Sequence, residues 1–69
     1  MTETLGDALP KEIKRVRDEL IPLYKSIGPS GMFGVTMMEK DIEIAERAIL
    51  EGDTVTMLRC HESLKGYHE

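Results

Sequence analysis

Leu9, Ile13, Val16, Leu20, Leu23 and Ile27 recur at steps of four, three, four, three and four. Strand side chains alternate with a period of two, whereas a helix returns to one face about every 3.6 residues, so this spacing specifies an amphipathic helix. A second run, Val35, Met38, Ile42, Ala45 and Ile49, repeats at three, four, three and four, with Met37, Ile44 and Ala48 widening its stripe. A third, over residues 53–65, offers Val55, Leu58, His61 and Leu64 on one side, or Met57 and Cys60 beside them. The pattern predicts an all-α domain of three helices in an up-down-up arrangement.

Prolines, glycines and short polar residues mark the boundaries. Pro10 suits a first helical turn, where a missing N–H costs nothing, and Asp7 is placed to cap it. Residues 1–8 read as a flexible N-terminal arm, 9–66 as a single helical domain and 67–69 as a C-terminal tail. Pro22 cannot bond the carbonyl of Asp18. The apolar spacing runs on through it, so the first helix is expected to kink rather than stop. Gly28 and Pro29 carry the glycine-then-proline signature of a helix end. Ser30 is the favoured cap of a second helix starting at Gly31, ahead of a Thr36–Glu39 capping box. Gly52 closes that helix in a left-handed conformation, Asp53 caps the third, and Gly66 ends it.

A chain of 69 residues has little interior, and small domains usually add a staple. Cys60 is the single cysteine, so an internal disulfide is excluded. The soft metal ligands are Cys60, His61 and His68, and the first two are adjacent rather than spaced as zinc ligands are. Neither a metal nor another cofactor is expected. Self-association is the remaining common staple, so a homodimer completing the helical core is expected.

The net charge is −4, which disfavours non-specific nucleic-acid binding. Its distribution is uneven. Residues 10–27 carry Lys11, Lys14, Arg15, Arg17 and Lys25 against Glu12, Asp18 and Glu19, a net +2. Residues 32–51 carry Lys40 and Arg47 against Glu39, Asp41, Glu43, Glu46 and Glu51, a net −3. No apolar run is long enough to span a membrane, and "MTETLGDALP" lacks the basic start and apolar block of a signal peptide. The expectation is a cytoplasmic protein.

The segment "GPSGMFGVTMMEKD" holds three glycines three apart among methionines and one phenylalanine. It does not read as a phosphate loop: no strand precedes it and no lysine follows before Lys40. Gly31 and Gly34 instead remove side chains where two helices converge. One helix cannot bury Met32, Phe33, Met37 and Met38 together, so some remain outside, where methionine-rich surface marks contact sites. Those four residues, with Tyr24 nearby, are the candidate partner-binding set, for another protein or for a second copy.

Other chemistries find less footing. Basic residues on helix one could serve a DNA-associated regulator, yet the second helix opens with Met-Phe-Gly-Val, which reads no bases. Glu39, Glu43 and Glu46 form an acidic stripe that could serve an inhibitor protein, although −4 is modest for nucleic-acid mimicry. Cys60 and His61 diverge by about 100° on a helix, which does not make a nucleophile–base pair. No enzyme activity is expected.

Over residues 9–66 the chain resembles small helical proteins of unknown function encoded in phages and prophages. The resemblance rests on Gly28-Pro29, Gly31, Gly34, Gly52-Asp53 and Leu64-Lys65-Gly66. It implies an accessory protein of a mobile element and assigns no residue a role.

Overall fold

In a computed structural model of the chain, which describes residues 4–67, every regular element is helical. They are α1 (Leu5–Arg15), a π-helical turn (Val16–Leu20), α2 (Ile21–Ile27), α3 (Pro29–Glu51) and α4 (Thr54–Lys65). The first three join without a break, so residues 5–27 form one arm that packs with α3 and α4 as a three-helix unit.

The arm begins four residues earlier than the apolar spacing implied. Thr4, not Asp7, is the cap: its hydroxyl accepts from the Asp7 N–H at 3.2 Å and donates to Asp7 Oδ2 at 2.9 Å. Within the expected N-terminal arm, residues 5–8 are therefore helical, and residues 1–3 lie outside the described residues. The irregularity anticipated at Pro22 takes the form of the π turn just before it. There the Ile21 N–H reaches the Val16 carbonyl, five residues back. Pro22 has no N–H to offer the turn behind it, and a wider turn absorbs that missing bond.

One extra residue in a turn rotates everything beyond it by about 100°. Leu9, Ile13, Val16 and Leu20 are buried as their spacing requires. Beyond the π turn the inward positions move on by one, to Ile21 and Tyr24, while Leu23 and Ile27 are left exposed. The expected unbroken stripe thus holds only as far as Leu20.

α3 starts at Pro29, with Gly28 as its cap at φ 101°, so neither Ser30 nor the Thr36–Glu39 pair opens it. Thr36 lies inside the helix and donates its hydroxyl to the Met32 carbonyl at 3.0 Å. At the far end Gly52 adopts the left-handed conformation, φ 69°, as the sequence required. Asp53 caps α4, accepting from the Thr56 N–H and hydroxyl at 3.2 and 2.6 Å. Those two bonds hold the Asp53 carboxyl below its usual range.

The core joins Leu9, Ile13, Val16 and Leu20 to Val35, Met38, Ile42 and Ala45 of α3, and to Cys60 and Leu64 of α4. On α4 the face that turns inward is therefore that of Met57, Cys60 and Leu64, with Val55 and Leu58 exposed. The main-chain extents are 37 × 25 × 15 Å, a slab little thicker than one helix with its side chains. Among the described residues no helix is long and apolar enough to cross a membrane.

Candidate interaction surface

The surface is set by the corner at Gly28. A side-chain carbon on Gly31 would lie 2.0 Å from the Tyr24 carbonyl oxygen, so the backbone of α2 passes directly over the first turn of α3. One on Gly34 would lie 2.8 Å from the Tyr24 ring. The two glycines make room for Tyr24, the close approach that their spacing suggested. Tyr24 is half-buried here and acts as a wedge between α2 and α3 rather than as an open contact residue.

With that corner closed, the four apolar residues of the candidate set separate. Met38 is wholly buried and belongs to the core, so it leaves the partner-binding set. Its position, three residues from Val35 and four from Ile42, keeps it on the inward stripe. Phe33 is 77% exposed, and Met32 and Met37 are each 45% exposed. Phe33, Met37 and Ile44 fall within about 40° of one another around α3, with Lys40 beside them. Met32 points about 100° away from Phe33. The open apolar stripe is thus Phe33–Met37–Ile44, on the side of α3 away from Val35, Met38 and Ile42, with the buried Ala48 at its C-terminal edge. Ile44, which the apolar spacing places on the flank of the inward stripe, is 40% exposed and lies outside the core.

A second feature lies between the arm and α3. Two depressions of about 530 and 500 Å³ share Arg17 and Glu46 and so form one furrow. Pro10 and Leu50 line one end, and Lys25 and Glu39 the other. Its floor is apolar, including Ile13, Ile21, Ile42 and Ile49. The arm supplies Lys14, Arg17 and Lys25, with Asp18 the one acid among them, along a bank that is basic on balance, and α3 supplies Glu39, Glu43 and Glu46 along the other. The Arg17–Glu46 ion pair at 3.1 Å crosses it. Leu50, at the open end, is 87% exposed.

The polar side chains with the longest reach fasten the chain end. Arg15 donates from Nη2 to the carbonyls of Leu64 and Tyr67, at 2.9 and 3.0 Å, and from Nε to Glu12 at 2.6 Å. Asp41 Oδ2 accepts from Ser63 Oγ at 2.8 Å and from Tyr67 Oη at 2.7 Å. Burial and the bond to Asp41 push the Tyr67 phenol up to about 12. Tyr67, assigned to the tail by sequence, is therefore tied to both the arm and α3; His68 lies outside the described residues. This clasp joins residues 49 and 52 positions apart, and no local pattern announces it.

Burial, with Asp41 and Asp53 nearby, pushes the Cys60 thiol up and away from the thiolate a nucleophile needs. Among the described residues no three His, Cys, Asp or Glu side chains gather as a metal ligand set, and no polar side chain is buried. On the basic flank of the arm, Arg15 donates to the clasp and Arg17 pairs with Glu46. No protein-family model, curated protein or solved structure matches this chain.

Proposed function

We propose that this protein is a small, non-enzymatic protein–protein interaction module, and that the Phe33–Met37–Ile44 stripe is its contact element. The observation that carries this reading is Phe33, the chain's one phenylalanine, held 77% exposed on a 23-residue helix whose other face is core. The core does not use that side chain, and a helix of this length presents it on a rigid support. Anchors four and eleven residues apart suit a partner protein offering an apolar groove, as in helix-in-groove recognition. The reading carries with it an up-down-up course of the three helices. The resemblance to phage and prophage proteins supports a role as an accessory protein of a mobile element, working in the cytoplasm.

Burying a phenylalanine contributes about 1.5–3 kcal/mol, which corresponds to a tenfold or greater change in affinity. Phe33→Ala, and separately Met37→Glu, should lose the partner that wild-type bait recovers from the host lysate, with circular dichroism unchanged. Equal recovery by the helical variants would defeat the proposal.

A further inference from the structure

The furrow concerns a different face of α3, some 150° around the helix from the Phe33 stripe by about 100° per residue. From it we infer that two copies of this chain pair through their furrows as a twofold-symmetric dimer. The choice of occupant follows from charge. A uniformly charged ligand, whether nucleic acid or a basic or acidic peptide, would meet like charge along one bank. A second copy of the same furrow, turned over, does not.

The geometry of the single chain already sets the register. The Arg17–Glu46 pair, with Pro10 beside Leu50 at one end and Lys25 beside Glu39 at the other, keeps the two banks level and their chain directions opposed. A twofold axis lying along the furrow places each basic bank over the acidic bank of the other copy at that same level. Among the described residues Lys14, Lys25 and Glu39 make no ion pair within the chain, so they are available to do so across the axis. Leu50 of each copy then covers Pro10 and Ile13 of the other. The four helical elements of the two furrows form a layered bundle in which neighbours run in opposite directions. The Phe33 stripes are left outward on both sides, so the dimer offers two copies of the contact element.

Sedimentation across a concentration series tests the pairing. Wild type should move from monomer to dimer, and Leu50→Glu should weaken that step by about tenfold or more, since its side chain is almost fully exposed in the single chain. Lys14→Glu/Lys25→Glu and Glu39→Lys/Glu43→Lys should each be monomeric alone. Mixed, they should form a one-to-one heterodimer, because two acidic banks then face two basic ones. A wild-type chain that stays monomeric at high concentration overturns the inference. So does failure of the mixture to pair when both variants are helical, or a dimer that Phe33→Ala dissolves and Leu50→Glu leaves intact. Phe33→Ala should keep the dimer mass while losing the partner protein, so the two proposals fail separately.

Discussion

Tyr24 shows how much one side chain can demand of its neighbours. Its carbonyl and its ring each occupy the place where a residue of α3 would otherwise carry a side chain. The two glycines that yield are not equivalent. Opposite Gly31 stands backbone, which cannot move without shifting α2, whereas opposite Gly34 stands the edge of a ring that can turn. Gly31→Ala should therefore destabilise by about 1–3 kcal/mol through overpacking. Gly34→Ala should be near neutral, because about 1 kcal/mol of gained helix propensity offsets the displaced ring. Denaturant midpoints of the two variants compare the effects directly; equal losses would show that the approach of α2 to α3 is looser than described. That glycines were needed here was legible from their spacing. Which one faces backbone was not, because that depends on where α2 passes.

Elements are shaped as much by their ends as by their apolar faces. The arm's steps of three and four suggest a continuous stripe to Ile27, and a regular helix would have supplied one. Pro22 changes the outcome by favouring a five-residue turn, after which Ile21 joins the buried Leu20 and Tyr24 takes the inward place of Leu23. At the other end of the chain, α4 is held by Asp53 at its start and by Tyr67 just past its finish. A phenol whose titration is raised in the fold favours the protonated state there. The stability it contributes is full below the ordinary tyrosine range and is lost as pH climbs through about 12. In a Tyr24→Phe background, phenolate absorbance should show Tyr67 ionising well above a free tyrosine, and Tyr67→Phe should remove that alkaline loss of stability. An ordinary titration would mean that the bond to Asp41 is not held in solution.

As a whole the molecule is a thin slab, in which α3 packs on α2 and α4, and α1 packs mainly on α4. Arg15 supplies a link that the apolar contacts do not, joining the arm to the carbonyls that end α4. The Leu64 carbonyl, in the last turn of α4, also accepts from the Tyr67 N–H at 3.1 Å, and the guanidinium binds it together with the Tyr67 carbonyl just beyond the helix. Arg15→Ala should cost about 1.5–3 kcal/mol, the range for hydrogen bonds to a charged group, lowering the denaturant midpoint. Hydrogen exchange should rise first in the last turn of α4. Unchanged protection there would show that the clasp contributes nothing. The same thinness leaves Leu50 and Phe33 open on separate faces.

Helix count, the corner at Gly28, the left-handed Gly52 and the Asp53 cap were determined by sequence alone. Each is a local matter, governed by the period of apolar residues and by backbone conformations that few residue types accept. The inward turn of Tyr24 and Met38, the outward turn of Leu23 and Ile44, the furrow and the Arg15 clasp were decided only by tertiary structure. They depend on the rotation of one helix against another, and the rotation of the arm past Leu20 was set by a single extra residue in one turn, a displacement too small for spacing to reveal but large enough to exchange core for surface.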